Sequence, residues 1–447
     1  MIRTLIDFSE KYGLLPRGSR IVCAVSGGAD SIAMLHMLYS VREKLGIELI
    51  CAHYNHGIRQ TAGRDEQFVR DFCSNIGIHF YCGYGNVPAE AERSGEGLEE
   101  AARRMRYNYL EEICDLTDAS RIATAHTADD MLETVIMNFA RGSGSLGAAG
   151  IPPIRGRIVR PILGLTREDI ERYIEENDLR HIEDETNVDE KYTRNRIRKQ
   201  IVPVIKGINP KAAKNFAATA LRIREDCELL DTMAKKMLEN AETTDSGWQI
   251  ETKMLTDAPR PIAARCIAAM CGNLSSRQIE AVLELAHDNL PSSRVNLPNG
   301  IIAKREYDKL FIGRYREEQT FMPRTVNIDR KTEIPELGII IYCKKSKKPE
   351  KIYNSINTFI VDCDIINRNF IVRPRKEGDN IKLKNRPTKS LKKLFIELCI
   401  SKDKRQMVPV LADDQGVIAV YGIGQDVRRN VGEDVFIIQM MEETQDD

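Results

Sequence analysis

The feature that most constrains this chain is the segment AVSGGADSIAMLHML (24–38), where a β-type run ends in a glycine pair and a helical pattern begins at once. A strand, a tight glycine turn and a helix N-terminus together form an anion site, because the glycines open the backbone to a ligand and the helix dipole favours phosphate. Ser26 and Ser31 add hydroxyl groups. The loop lacks both the Walker pattern and the GxGxxG of dinucleotide binders. The alternative is an ordinary glycine turn with serine caps.

The segments around this loop predict the fold. Short β-branched runs alternate with helical patterns, and the runs are IVCAV (21–25), ELICAHY (48–54), IHFYC (78–82) and RIATAH (121–126). This alternation predicts an α/β fold with a Rossmann-like parallel sheet wrapped by helices. Residues 97–113 have helical spacing of apolar and charged positions and are predicted to form one of those helices.

The remainder of the chain predicts further domains, since 447 residues correspond to about three domains of roughly 100–200 residues each. After a first domain over 1–205, residues 206–318 predict a mainly helical domain that ends in a short hairpin with Pro-Asn-Gly turn chemistry. Residues 319–367 predict a linker with strand-like runs, in which the Lys-rich stretch 344–351 is an exposed turn or linker. Residues 368–440 predict a small α+β domain.

The composition excludes several classes of protein. Lys plus Arg and Asp plus Glu are both 66, so the net charge is zero and any basic surface must be local. Apolar stretches are broken by charge well before the roughly 20 residues of a membrane span, and residues 1–20 lack a cleavable apolar block, which predicts a cytoplasmic protein. The 11 cysteines include no CxxC pair, which predicts reduced, mostly buried thiols.

Acidic residues open a predicted helix directly after the fourth strand, at the carboxyl edge of the sheet where open α/β folds bind ligands. They are Asp129, Asp130 and Glu133, of which the last two share a helix face. Such carboxylates beside a phosphate loop can hold magnesium, or hold and deprotonate an amine. The alternative is helix capping, weighed most for Asp129. His126 either orients these acids, contacts nucleotide or is a structural hydrogen-bonding residue.

Two groups of arginines are candidate contacts with phosphate. Arg103 and Arg106 lie three apart on the helix 97–113, and the alternative for them is exposed ion pairing with neighbouring glutamates. Residues 191–206 contain six Lys or Arg and no acid. From this run we single out Arg194 and Arg198, four apart, as residues that reach triphosphate or RNA, with a solvated basic face as the alternative.

A second basic stretch, residues 373–405, has twelve Lys or Arg against four Asp or Glu. This local excess within a neutral chain predicts a surface for RNA, whose phosphates position the ligand while unpaired bases supply specificity. Arg373, Lys392 and Lys393 are the predicted phosphate contacts.

The loop also carries a family resemblance. Its Ser-Gly-Gly-x-Asp-Ser string resembles the pyrophosphate motif of the N-type ATP pyrophosphatases, which activate a substrate oxygen by adenylation. The resemblance implies ATP and Mg²⁺, with Asp30 organising magnesium-bound phosphates. The implied ATP-binding residues are Ser26, Gly27, Gly28, Ala29, Asp30, Ser31 and, at the end of the second strand, His53.

Further strings narrow the resemblance to one family. They are HYNHGIR (53–59), LEEAARRMRY (98–107), AHTADDMLET (125–134), RGSGSLGAAGIPP (141–153), DETNVDEKYTRNRIRKQIVP (184–203), LPNGIIAKREYDKLFIG (297–313) and segments within 371–410. In this order they resemble the tRNA(Ile)-lysidine synthetases, which join lysine to the wobble cytidine of an isoleucine tRNA. The likeness spans nearly the whole chain. One position departs from it, because the family has Gln after AHxxDD and this chain has Met131.

The resemblance implies a mechanism and partners. Asp30, Asp130, Glu133 and Arg106 are the implied catalytic residues; the second and last domains bind tRNA with a CAU anticodon, L-lysine is the other substrate, and the family suggests a homodimer. A 2-thiocytidine-type tRNA thiolase is the runner-up, against which the lack of CxxC argues. A synthetase of free metabolites would not need the basic C-terminal domain. A nucleotide-binding module without catalysis would not need the intact acids.

Overall fold

The computed structural model describes most of the chain. The described residues are 1–57, 62–183, 193–244, 246–288, 292–314, 320–348, 357–363, 370–400, 404–429 and 433–442. The chain divides into two compact units, Met1–Leu230 and Asp231–Asp447. Among the helices in these ranges, none is both long enough and apolar enough to cross a membrane. All the cysteines lie within the described residues as free thiols, and most are buried, as predicted.

A six-stranded sheet forms the centre of the first unit. Its strands are β1 (Arg20–Ala24), β2 (Glu48–Asn55), β3 (His79–Tyr84), β4 (Arg121–Ala123), β5 (Ile154–Arg155) and β6 (Ile158–Val159). They lie in the order β3-β2-β1-β4-β6-β5, and every neighbouring pair is parallel except β5 with β6. The predicted α/β fold is confirmed. The strand order reverses between β1 and β4, which is where open parallel sheets bind ligands.

Helices cover both faces of this sheet. They are α1 (Ile2–Tyr12), α2 (Ala29–Leu45), α3 (Ala62–Ile76), α4 (Val87–Ser94), α5 (Leu98–Leu116), α6 (Ala128–Ala140), α7 (Ser145–Ala148), α8 (Arg167–Glu176), α9 (Thr193–Arg196), α10 (Val202–Ile208) and α11 (Ala212–Leu238), with a π-helical turn at Ile197–Ile201. Side chains of β1 alternate between the faces: Cys23 packs in the core on the α2 side, whereas Val22 packs with Leu110 of α5. Because both faces are buried, β1 is a continuous apolar run.

The second unit begins with helices and an antiparallel sheet. The helices are α12 (Thr252–Thr256), α13 (Arg260–Cys271) and α14 (Ser276–His287), and the strands are β7 (Glu242–Thr244), β8 (Gly247–Glu251), β9 (Ser292–Asn296), β10 (Ile301–Glu306) and β11 (Lys309–Arg314), in the order β7-β8-β11-β10-β9. The predicted turn joins β9 to β10, with Asn299 at φ 58° and Gly300 at φ 72°. The sheet is larger than the predicted hairpin. Strands β7 and β8 were not predicted, because they come from a polar segment with little strand pattern.

The rest of the second unit is built from antiparallel strands and one short helix. The elements are β12 (Arg324–Thr325), β13 (Lys331–Ile334), β14 (Ile339–Lys347), β15 (Thr358–Asp362), β16 (Ile371–Arg373), β17 (Asn380–Ile381), β18 (Lys389–Ser390), α15 (Leu391–Glu397), β19 (Val410–Asp413), β20 (Gly416–Val420), β21 (Gly424–Gln425) and β22 (Asp434–Glu442). The larger sheets have the orders β12-β16-β19-β20-β21 and β13-β14-β22-β15. Phe359, Phe370 and Phe436 share one core between these sheets.

One local prediction in this region is wrong. Lys344 to Lys347 were predicted to begin an exposed turn or linker, but they lie in β14 and pair with β22 through Lys347 opposite Asp434. The lysine side chains are exposed while the paired backbone continues the strand that Ile341 and Cys343 anchor in the core. A run of lysines therefore marks a solvated strand end here. The last residues of the predicted turn lie outside the described residues.

Candidate active site

The glycine loop lies between β1 and α2 and is held closed by its own residues. Gly27 has φ +94°, and a Cβ there would lie 2.7 Å from Cδ1 of Ile182, so glycine is required. Ser31 is buried and uses its hydroxyl to donate to the carbonyl of Gly28 at 2.9 Å, while it accepts from the backbone N–H of Ser26 at 3.2 Å. The Ser26 side chain is exposed. Of the two predicted serine contacts, Ser26 is thus the one that faces solvent.

His53 supports the loop from behind. Its side chain is 5% exposed, and Nδ1 lies 2.8 Å from the carbonyl oxygen of Val25, the residue before the loop. The sequence predicted His53 as an ATP contact. The geometry gives it a bracing role at the end of β2, next to the predicted position of the nucleotide. Ile58 and Arg59 of the same family string lie outside the described residues.

Asp30, in the first turn of α2, has one free oxygen. Its Oδ2 accepts a hydrogen bond from Nη1 of Arg167 at 2.8 Å, whereas Oδ1 is buried and has no hydrogen-bond partner among the described residues. Burial raises the pKa of Asp30 to about 6, against the opposing effect of Arg167 and with a smaller contribution from Asp130. A carboxylate with one buried, unpartnered oxygen fits a divalent cation, which agrees with the role that the resemblance implies for it.

The capping acid of α6 is Asp130 and not Asp129. Oδ2 of Asp130 accepts from the backbone N–H of Thr127 at 2.8 Å, and the Thr127 hydroxyl completes a capping box. Oδ1 of Asp130 accepts from Nη2 of Arg194 at 2.8 Å. Asp129 turns elsewhere, 2.7 Å from Nζ of Lys206. In the sequence, helix capping was a stronger alternative for Asp129 than for Asp130. The structure corrects this, because the N3 position, where the capping box closes, belongs to Asp130.

Glu133 is the centre of a carboxylate–arginine network. Its side chain is 2% exposed, and its oxygens accept from Nε of Arg194 at 2.8 Å and from Nε and Nη2 of Arg198 at 2.5 and 3.0 Å. The four-residue spacing places both arginines on one side of α9 and the π-helical turn, as the sequence suggested. We call Asp130, Glu133, Arg194 and Arg198 the paired network. The adjoining residues 184–192 of the family string lie outside the described residues.

Arg103 and Arg106 lie on α5 and are not paired with glutamates among the described residues. Their guanidinium carbons lie 5.0 and 5.4 Å from the centre of the Tyr107 ring. The described residues offer neither of them a carboxylate within ion-pair distance, so the alternative of exposed ion pairing is not realised. The arginine of this helix that does pair with glutamates is Arg104.

His126 follows β4, and its Nδ1 is 3.1 Å from the hydroxyl of Thr124. Burial, together with the nearby positive charges of Arg160 and Arg194, lowers the pKa of His126 to about 4 against the opposing attraction of Asp130. The ring is therefore neutral at physiological pH.

Two arginines of the site were not predicted. Arg167 begins α8 and reaches Asp30, and Arg160 directly follows β6 and is 3% exposed. A signal for Arg167 exists in the capping box of Thr166 and Asp169, which marks a helix start after a strand. For Arg160 the sequence offers a single arginine after a two-residue strand, and only the adjacency of β6 to β4 brings it to the site.

Met131 fills an apolar position. It is fully buried, and its sulfur lies 3.1 Å from the backbone nitrogen of Ile151, next to the left-handed Gly150. The polar contact that the family's Gln would make is replaced by core packing and a weak thioether interaction.

The predicted RNA contacts of the second unit differ among themselves. Arg373 is 8% exposed, and its two terminal nitrogens donate to the two oxygens of Asp379 at 2.8 and 2.9 Å. This geometry gives Arg373 a structural role and does not support a phosphate contact. Lys392 and Lys393 are exposed on the first turn of α15 and are available to a ligand.

Comparisons with known proteins identify the domain that contains this site. Residues 3–205 match the model of the PP-loop domain, and residues 370–434 match the model of the TilS substrate C-terminal domain. The fold and the loop thus define a PP-loop protein that uses ATP.

Relatives specify the family further. The tRNA(Ile)-lysidine synthase of Clostridioides difficile (strain 630) is 32% identical over 430 residues, which cover 92% of each chain. This chain belongs to the tRNA(Ile)-lysidine synthase family. A bifunctional protein TilS/HprT of Listeria monocytogenes is 31% identical over 92% of this chain, and the chain spans 65% of that protein's length. Among solved structures, the U34-tRNA thiolase NcsA of Methanococcus maripaludis aligns at a TM-score of 0.43 with 17% identity, covering 50% of this chain and 79% of that one.

Proposed function

We propose that this chain joins L-lysine to C2 of the wobble cytidine in the CAU anticodon of an isoleucine tRNA, with conversion of ATP to AMP and pyrophosphate. The observation that carries the proposal is the position of Arg167, which links the loop to α6: its Nη1 donates to Oδ2 of Asp30 at 2.8 Å, and its backbone N–H donates to Oδ2 of Asp129 at 2.7 Å. The phosphate loop and the acids thus form one electrostatic site. Family membership supports the choice of RNA and amino acid.

In the first step the loop holds the phosphates that leave. The exposed hydroxyl of Ser26 and the first N–H groups of α2, which have no partner within the helix, bind the pyrophosphate part of ATP. The C2 carbonyl oxygen of the cytidine attacks the α-phosphorus, and the base becomes adenylated. Arg167 and Arg198 lie close enough to Asp30 to stabilise the negative charge that grows on the leaving group.

Asp30 is the proposed magnesium ligand. Its buried, unpartnered Oδ1 fits a cation that takes one or two carboxylates and completes its shell with phosphate oxygens and water. Within the described chain no three His, Cys, Asp or Glu side chains are grouped to hold a metal by themselves, so phosphate oxygens would supply the remaining ligands. When bound, the ion neutralises charge on the pyrophosphate.

In the second step the paired network handles lysine. Glu133 and one oxygen of Asp130 are occupied by Arg194 and Arg198, so a lysine amine can bind them only after these arginines move. A triphosphate, with several negative charges, competes for the same guanidinium groups. We propose that ATP pulls the arginines away from the two carboxylates, which then hold the amine and accept its proton. The amine attacks C2, the C2–O bond to the adenylate breaks, and AMP leaves.

The experiment is a transfer assay with labelled lysine, ATP and an isoleucine tRNA bearing CAU. We expect incorporation of lysine into this tRNA and none into a methionine tRNA with the same anticodon. A parallel reaction with labelled sulfide tests the thiolase alternative. Sulfur transfer without lysine transfer would replace the proposal by that alternative, and pyrophosphate release without any transfer to RNA would indicate a free metabolite as substrate.

A further inference from the structure

Three arginines converge around Tyr107 in the first unit. Arg103 and Arg106 flank its ring from α5, and Arg160 comes from the residue after β6. Arg103 lowers the pKa of both Arg106 and Arg160 electrostatically, after the larger effect of burial, which places the three guanidinium groups within reach of one another. We call these residues the Tyr107 arginine cluster.

The cluster is not neutralised by acids. In the part of the chain that the structure describes, none of its three arginines forms an ion pair, whereas the adjacent Arg104 pairs with Glu90 and Glu96. Arg160 is held by donation from Nη1 to the carbonyl of Pro152 at 2.5 Å, yet its Nε is buried without a partner among these residues. Unpaired positive charge in a buried position is costly, and an anion relieves it.

The Tyr107 hydroxyl gives a second indication of a ligand. Its oxygen is buried, and although it lies near the guanidinium groups of Arg106 and Arg160, no side chain within the described residues forms a hydrogen bond of normal geometry with it. A phenol can donate to an anion that the surrounding guanidinium groups attract. The cluster therefore combines charge and an unused donor at one place, as expected of a site for an oxyanion.

The exposure of the three arginines favours a polymer over a small molecule. Arg160 is buried, Arg106 is partly buried and Arg103 is exposed, so the positive charge forms a track from the surface to the interior. The phosphates of ATP have the loop and Arg167 in the proposed function, whereas His126 is close to the charges of Arg103 and Arg160 as well as to those of Asp130 and Arg194. A strand that enters along the track would bring its base toward His126 and Asp130.

We propose that Arg103, Arg106 and Arg160, with the Tyr107 hydroxyl, form a subsite for a backbone phosphate of the RNA next to the wobble nucleotide. The inference rests on the proposed function, since it assigns the RNA a defined entry to the same site. The subsite holds the strand while the wobble base leaves the anticodon stack. It adds Arg160 and Tyr107 to the residues that position the substrate.

The test compares Arg103→Gln and Arg106→Gln with Arg104→Gln, a matched control from the same helix whose charge is paired. For each variant we would measure the Kd of Mg-ATP without RNA, the KM of lysine, and binding of the CAU isoleucine tRNA across a salt series. Loss of a charge-assisted contact should weaken tRNA binding by roughly tenfold or more and lower kcat/KM for tRNA. The slope of log K against log salt should fall by about 0.7–0.9 for each lost contact, and for Arg103→Gln the Kd of Mg-ATP and the KM of lysine should stay unchanged.

Several outcomes would overturn the inference. A weaker Kd for Mg-ATP with unchanged RNA binding would assign the cluster to the triphosphate, and a raised KM for lysine alone would assign it to the lysine carboxylate. Equal effects in Arg104→Gln would show that the cluster contributes to RNA binding only as general surface charge. Failure of the proposed function is recognised separately, because the wild-type protein would then bind RNA without transferring lysine to it. A conservative Arg106→Lys variant, which retains the charge, should recover most of the RNA affinity and thereby excludes misfolding as the cause.

Discussion

Around Glu133, two guanidinium groups meet two carboxylates; around Tyr107, three guanidinium groups meet none within the described residues. Both groups lie in the first unit, and of their arginines all except Arg160 were predicted from the sequence. A paired network needs no ligand to satisfy its charges, and a competing anion or cation can rearrange it. An unpaired cluster gains stability only when an anion arrives. The difference suggests that the paired network responds to ATP and lysine in turn, whereas the cluster serves as a fixed contact for RNA.

Among the changes that separate the paired network from the cluster, the largest effect is expected from breaking the network at its centre. Glu133→Gln leaves Arg194 and Arg198 with a neutral amide that cannot accept all their hydrogen bonds. We expect kcat/KM for lysine incorporation to fall by roughly 10²-fold. Asp129→Asn is the control, since Asp129 contacts Lys206 and the backbone of Arg167 instead. Near-normal incorporation by Glu133→Gln would show that the network is structural only.

A change in stability with pH is expected at Asp30. Because its pKa in the folded protein is raised to about 6, ionisation of Asp30 destabilises the fold as pH rises through that value, and the penalty is absent below the unfolded pKa of about 3.9. Asp30→Asn should therefore be more stable than the wild type by roughly 1–3 kcal/mol at pH 8, with the difference vanishing below pH 4. Denaturant unfolding at both pH values measures this. A variant less stable at pH 8 would mean that the ion pair with Arg167 outweighs burial.

The sequence predicted only some of the residues in this comparison. The loop, Asp130, Glu133, Arg194 and Arg198 lie in short strings whose spacing fixes them on one turn or one helix face, so they could be predicted. Arg160 and Arg167 reach the site through the order of the strands and the position of α8, which no local spacing encodes.

For a related reason, the local excess of basic residues did not predict the contact that Arg373 makes. Its run of basic residues resembles an RNA surface, yet Asp379, six residues later, folds back and takes both terminal nitrogens. A net excess of positive charge locates a region, but the pairing of individual residues depends on the tertiary fold. Lys392 and Lys393 keep the predicted exposure because they lie on the solvent side of α15.

A smaller effect is expected on the order of binding. If ATP draws Arg194 and Arg198 from the carboxylates, lysine should bind more tightly once a nonhydrolysable ATP analogue occupies the loop. We expect about a tenfold decrease in the Kd of lysine, within the usual range of coupling between two ligands. Calorimetric titration of lysine with and without the analogue measures it. Equal lysine affinities in the two titrations would mean that the arginines do not exchange partners.

The smallest effect is expected in the second unit. Replacing Lys392 and Lys393 together by Gln removes two exposed charges, neither of which is ion-paired within the described residues. The change should weaken tRNA binding a few-fold and make its salt dependence shallower. Lys389→Gln is the matched control, because Lys389 is already 2.5 Å from Glu397. Identical salt slopes for the double variant and the wild type would remove this turn of α15 from the RNA surface.

The measurement that tests the account most directly counts pyrophosphate released and lysine incorporated in the same reaction, for the wild type and for Asp30→Asn. The wild type should release one pyrophosphate for each lysine joined to the CAU isoleucine tRNA. Asp30→Asn, although folded, should lose both activities together by roughly 10²–10³-fold. Undiminished lysine transfer by Asp30→Asn, or transfer without pyrophosphate, would contradict the claim that the loop and its carboxylate carry out the ATP-dependent step.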